Sequence, residues 1–222
     1  MIVIGDRKHT RTATEYLIII NVIFFILEVI FGEYIIVPLA LIPERLIFHY
    51  EIWRLITHMF LHADFLHIFF NMYALYFFGR YVENYYGKRT FLLIYFVSGI
   101  FAGIFFSIVS IYAYHTGNVY ALGASGAVFG VMATFAFTFP DVELYWWFVF
   151  IILKMKAKYF ALIYATMELL RAIFIGPAGN VAYAAHVGGF IAGLFMTWLV
   201  RKMELRRASK RVIIRPFIDE YY

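Results

Sequence analysis

The chain has 222 residues and a formal net charge of +5, with AVILMFWYC residues at 64%, aromatics at 22% and Asp, Glu, Lys and Arg together at 15%. A soluble domain carries roughly 45–50% apolar residues even with glycine counted, and needs more charge than this to cover its surface. That excludes a disordered chain, a collagen and a nucleic-acid-binding domain, and the lack of Cys excludes disulfides, thiolate metal sites and a cysteine nucleophile.

The chain reads as an all-α integral membrane protein, because six apolar runs approach the ~20 residues that a spanning helix needs. In chain order they are Tyr16–Phe31, Phe65–Tyr85, Thr90–Tyr112, Ser125–Phe139, Phe160–Ile175 and Ala185–Val200. The first follows a charged segment (Asp6, Arg7, Lys8, Arg11) but no small-residue cleavage pattern, so it reads as a retained helix. Residues 32–64 are too apolar for a solvated linker. Pro38 and Pro43 are expected to break any helix there, and the segment is expected to lie in the membrane interface. The stretch Tyr145–Leu153 is apolar but too short to span before Lys154, and shows no strand alternation.

Basic residues precede the first run and separate the second from the third (Arg80, Lys88, Arg89) and the fourth from the fifth (Lys154, Lys156, Lys158). They recur after the sixth (Arg201, Lys202, Arg206, Arg207, Lys210, Arg211), whereas residues 113–122 and 175–184 have none. The positive-inside rule then puts both termini in the cytoplasm. Residues 1–15 form a cytoplasmic segment, 16–200 the six-helix domain and 201–222 a basic tail suited to anionic lipid.

Polar groups inside such runs are costly and mark functional candidates. Ser125 begins the fourth run in GASGAVFG, flanked by Gly123 and Gly126. A helix N-terminus there offers free backbone N–H groups, a site for an oxyanion. His186 begins the sixth run in AHVGGFIAG. In the second, His67 and Asn71 share a face at i, i+4. Counted from the cytoplasmic ends, Ser125, His186 and His67 lie about 24, 22 and 20 Å up their helices. That is one depth, roughly 6–10 Å below the outer edge of a ~30 Å hydrocarbon core. The fourth run carries Gly126, Gly130 and Ala133 on one stripe, and the sixth carries Ala185, Gly189 and Gly193. Small-residue stripes let membrane helices approach closely, which would set hydroxyl beside imidazole and give a Ser–His dyad. No Asp or Glu looks well placed as a third member: Asp64 falls in the outer loop, Asp141 and Glu143 in the cytoplasm.

Taken singly, such a Ser is commonly a packing or capping residue and such a His an interfacial one; the shared depth favours the joint catalytic reading. His58 and His62 have the spacing of zinc ligands, but no HExxH arrangement accompanies them, so no metal and no organic cofactor are expected. Glu28, inside the first run, has no assigned role. A channel would need polar residues through the whole depth, and the lower halves of the fourth and sixth runs are apolar.

These residues resemble the rhomboid intramembrane serine proteases, with motifs matching in order from the first run to the sixth. They are Trp53-Arg54, His58–Asn71, the GxxxExxxG pattern of Gly79, Glu83 and Gly87, GxSG at Ser125, and AHxxGxxxG at His186, Gly189 and Gly193. The resemblance implies a six-transmembrane bundle that cleaves transmembrane segments of other proteins near the outer face. Ser125 would be the nucleophile and His186 the base. His67, Asn71 and the Ser125 N–H would form the oxyanion hole, with Gly123 positioning the turn. Phe129, where many members have Tyr, would pack on His186, and His62 would line an outward-facing wet cavity. Arg54 would order the first loop, and Glu83 would hydrogen-bond across the cytoplasmic half. The implied partners are transmembrane substrates and the bilayer. The alternative is an inactive rhomboid-like protein that escorts membrane clients.

Overall fold

A computed structural model describes residues 11–148, 151–176 and 182–218, with backbone alone for 146–148, 151–153 and 207–218. Arg7 and Lys8 of the amino-terminal basic cluster lie outside the described residues.

The chain forms α1 (Ala13–Phe31), α2 (Glu33–Leu39), α3 (Pro43–Phe48), α4 (Arg54–Thr57), α5 (Phe65–Tyr86), α6 (Lys88–Tyr112) and α7 (Ser125–Thr138). A hairpin of β1 (Glu143–Phe148) and β2 (Ile151–Lys156) follows, then α8 (Ala157–Phe174) and α9 (Tyr183–Ile218). Each of the six apolar runs is a helix, with ends within three residues of the expected ones except that α9 continues into the basic tail. Among the described residues, three helical stretches are long and apolar enough to cross a membrane: Ala13–Phe31, Lys88–Tyr112 and Tyr183–Arg206.

The expectation of an all-helical chain fails at residues 143–148 and 151–156. These pair as an antiparallel hairpin in the register Glu143 to Lys156 and Phe148 to Ile151. An apolar run too short for a span satisfies its backbone groups by pairing with itself. The first loop also departs from expectation, for its prolines delimit short helices instead of abolishing them. Pro43 occupies the first turn of α3, where its missing N–H costs nothing, and Pro38 sits one residue from the end of α2. The loop packs inward, with Leu41, Met59 and Leu61 fully buried.

Helix α7 is the core of the bundle. Twelve of its residues are buried, and it packs on α5, α6, α8 and α9. The small-residue stripes make this possible. A methyl group added at Gly189 would strike the Gly126 carbonyl, and one at Gly193 would strike that of Gly130. The α7 and α9 backbones are therefore in direct contact, as in small-residue membrane crossings.

At the opposite end from Ser125, Glu83 caps α1. Its carboxylate accepts the N–H groups of Ala13 at 2.6 Å and Thr14 at 2.9 Å, and the Thr14 hydroxyl at 2.8 Å. An acidic group at unsatisfied first-turn N–H groups is the favoured arrangement. Thr14 also packs on Gly79, so Gly79 and Glu83 form the footprint of α1 on α5, while Gly87, with φ 81°, ends α5.

Candidate active site

Ser125 is the first residue of α7, and the chain arrives there through Gly123. Its φ of 124° suits only glycine, and its N–H donates to the His58 carbonyl at 2.9 Å. The segment just before is pinned to the first loop by an antiparallel bridge between Leu41 and Ala121. Gly123 is constrained a second time, because a methyl group there would lie 2.7 Å from His67 Nε2. The His67 ring thus borders the same small volume as the Ser125 hydroxyl.

His186 lies in the first turn of α9. The α7–α9 glycine contact brings its Nε2 to 2.8 Å from Ser125 Oγ, and the residue is only 8% exposed. Phe129, one turn further along α7, stacks flat on the imidazole with centroids 4.4 Å apart and planes 8° apart. The stack fixes the plane of the ring, and the aromatic face needs no hydroxyl to do it.

Glu168 was missed at the sequence level. From α8 its Oε2 meets His186 Nδ1 at 2.6 Å, while Oε1 accepts from Arg171 at 2.9 Å. The expectation that no carboxylate reaches the imidazole is therefore corrected. The sequence did carry a signal: Glu168 is an ionisable residue about three turns into an apolar helix, which makes it a functional candidate by the rule that singled out Ser125 and His186.

On α5, Asp64 caps the helix by accepting the His67 N–H at 2.8 Å. The Ala63 N–H donates to His67 Nδ1 at 3.3 Å, so the ring proton resides on Nε2, the nitrogen beside Gly123. Asn71 donates one amide hydrogen to the His67 carbonyl at 2.9 Å and has a second hydrogen to give. His62 meets His67 edge-on at 5.1 Å, and is buried with neither ring nitrogen bonded among the described residues. Burial pushes His62 down to about 3, and the fully enclosed His58 down to about 4. Glu28 accepts the His62 N–H at 2.9 Å, which gives this residue of α1 a role in holding the turn before α5.

Trp53 and Arg54 lie away from Ser125. Arg54 donates to the carbonyls of Val37 (2.8 Å) and Ala40 and pairs with Glu51 at 2.5 Å. Trp53 Nε1 donates to the Pro38 carbonyl at 3.2 Å. Both knit the first loop together, Arg54 from a buried position. Among the described residues, no three His, Cys, Asp or Glu side chains cluster as a metal site would require.

A family model described as Rhomboid domain matches residues 49–203. The chain is 30% identical over 178 residues to Rhomboid protease GluP of Bacillus subtilis (strain 168), covering 78% of this chain and 31% of that protein. It is 31% identical over 157 residues to Putative rhomboid protease YdcA of the same bacterium, 70% of this chain and 71% of that one. It is also 28% identical over 145 residues to Inactive RHOMBOID-like protein 8 of Arabidopsis thaliana, covering 65% and 37%. For several relatives the matched stretch is about a third to a half of their length.

Proposed function

The chain belongs to the rhomboid family, and from that premise we propose that it is an intramembrane serine endopeptidase with Ser125 as nucleophile and His186 as general base. The observation that carries this is the 2.8 Å contact of Ser125 Oγ with His186 Nε2, made between two helices that touch backbone to backbone. Serine is a weak nucleophile until a base takes its proton, and this is the geometry in which one does.

Ser125 Oγ attacks a peptide carbonyl and its proton passes to His186 Nε2. The developing oxyanion receives hydrogen bonds from the Ser125 N–H, His67 Nε2–H and the second Asn71 amide hydrogen. His186 then protonates the departing amine, and water repeats the sequence on the acyl-enzyme. Gly123 keeps the oxyanion volume open, since a methyl group there would collide with His67.

The six-span topology with both termini cytoplasmic belongs to the same proposal, supported by the charge asymmetry of the loops. Helix α7 has 14 residues, about 21 Å, against the ~30 Å hydrocarbon core. A helix that short, starting from the cytoplasmic face, leaves Ser125 sunk below the outer surface. Hydrolysis there needs water, and the unbonded buried nitrogens of His62 are polar groups that water would satisfy. Substrates are transmembrane segments, and those with helix-weakening residues near the scissile bond are favoured because a helical peptide bond is shielded.

One relative is named inactive, so the alternative is a rhomboid-like escort of membrane clients; the Ser125–His186 contact favours the protease. Wild type, Ser125→Ala and His186→Ala, reconstituted with a single-span substrate, decide between them. Cleavage by wild type alone is expected, and equal cleavage by all three overturns the dyad. A fluorophosphonate probe should label wild type and spare Ser125→Ala.

A further inference from the structure

Helix α8 buries a narrow face made of Ala157, Ala161, Glu168 and Ala172. Three of the four are alanine, so the one carboxylate is a costly group to bury unless both oxygens are engaged. Both are: Arg171 donates to Oε1, and His186 Nδ1 lies 2.6 Å from Oε2. Arg171 also lies over the Tyr183 ring, 5.8 Å from its centroid, at the start of the helix that carries His186. The guanidinium thereby ties α8 to the base of α9 and fixes which carboxylate oxygen is left for the imidazole.

We propose that Glu168 is the positioning residue of a Ser125–His186–Glu168 triad. It holds the proton of neutral His186 on Nδ1, so that Nε2 is free to accept from Ser125, and it stabilises the imidazolium formed in the reaction. This rests on the assignment of Ser125 and His186 given above. As Oγ attacks, its proton moves to Nε2. The Nδ1–H bond to Glu168 persists throughout, and Glu168 takes up no proton. The Nε2 proton leaves with the amine.

The arrangement makes a sharp prediction for Glu168→Gln. Arg171 is a donor only, so it captures the new amide oxygen and turns the –NH₂ group toward His186. Nδ1 must then accept, the ring proton shifts to Nε2, and the base no longer faces Ser125 with a lone pair. A role confined to holding α8 in place would leave the tautomer unchanged.

The test is made on full-length protein in detergent or bilayer, with ¹⁵N-histidine NMR for the His186 tautomer and steady-state kinetics on a single-span substrate. Wild type should show Nδ1–H, and Glu168→Gln should show Nε2–H. Its kcat should fall about 10²- to 10⁴-fold with little change in KM, and Glu168→Asp should recover part of the loss. Thermal melting of each variant identifies one that has merely unfolded. If wild type cleaves, Ser125→Ala does not, and Glu168→Gln keeps both Nδ1–H and wild-type kcat, the triad falls and the protease stands. If wild type neither cleaves nor takes a fluorophosphonate, the protease falls, and the tautomer shift alone decides whether Glu168 sets the imidazole.

Discussion

Gly189 on α9 lies against the carbonyl of Gly126 on α7 so closely that no side chain fits between them. Ser125 stands one residue before Gly126 and His186 three residues before Gly189, so the helix contact sets the 2.8 Å between hydroxyl and imidazole.

Gly189→Ala is therefore expected to force the two helices apart. Backbone cannot yield as a side chain tip can, and overpacking of this kind costs about 1–3 kcal/mol. The thermal midpoint in detergent should fall and fluorophosphonate labelling of Ser125 should be lost. Gly117→Ala is the comparison, because its new methyl group would lie 3.1 Å from Glu44 Cβ on α3, a contact that a shift of a few tenths of an ångström relieves; it should lose less stability than Gly189→Ala and keep its labelling. Equal behaviour of the two variants would contradict the packing account.

His67→Ala removes the Nε2–H donor beside Gly123. Loss of one oxyanion donor typically lowers kcat about 10²- to 10³-fold. The reaction should suffer while KM changes little, because the donor matters most once the carbonyl oxygen is charged. Asn71→Ala should show the same pattern. A rise in KM at constant kcat would instead assign these residues to substrate binding.

Glu83→Ala leaves the Ala13 and Thr14 N–H groups and the Thr14 hydroxyl without their acceptor. Each buried donor left unsatisfied costs about 1–3 kcal/mol. The thermal midpoint should drop markedly, while kcat per folded molecule at low temperature stays near wild type, since Glu83 and Ser125 stand at opposite ends of the bundle. A kcat defect without a stability defect would refute the capping role.

Acid should loosen the first loop. Burial holds His58 at about 4 and His62 at about 3 in the folded protein, against about 6.5 in an unfolded chain. Below about pH 6.5 these two histidines bind more protons in the unfolded chain, so their contribution to stability declines as pH falls toward 4 and is fully retained above 6.5. A pH series of melting temperatures measures this. His58→Gln should flatten the slope between pH 6.5 and 4.5; an unchanged slope would show that other groups carry the acid sensitivity.

The six helices were legible because hydropathy records which segments prefer lipid, and the crossing of α7 and α9 because glycine spacing records which backbones can touch. Ser125, His186 and His67 were legible by depth, since rise per residue converts sequence position into height. Depth says nothing about the direction in which a residue faces. Glu168 stands among Leu162, Ile163, Met167, Leu169 and Leu170, all exposed, and only the packing of α8 on α9 turns it toward His186. The pairing of 143–148 with 151–156 was hidden for a related reason. A short continuous apolar run has no period to separate strand from helix, and pairing of β1 with β2 decides it.

The amino-acid order by itself settled the solvent this chain prefers, the segments that become helices, and the hydroxyl and imidazole that share a level, because those depend on local composition and a fixed rise. The folded arrangement alone decided which carboxylate meets the imidazole, which His67 nitrogen carries the proton, and how the first loop holds Gly123. Those depend on contacts between residues far apart in the chain, and such contacts leave no periodic trace in sequence.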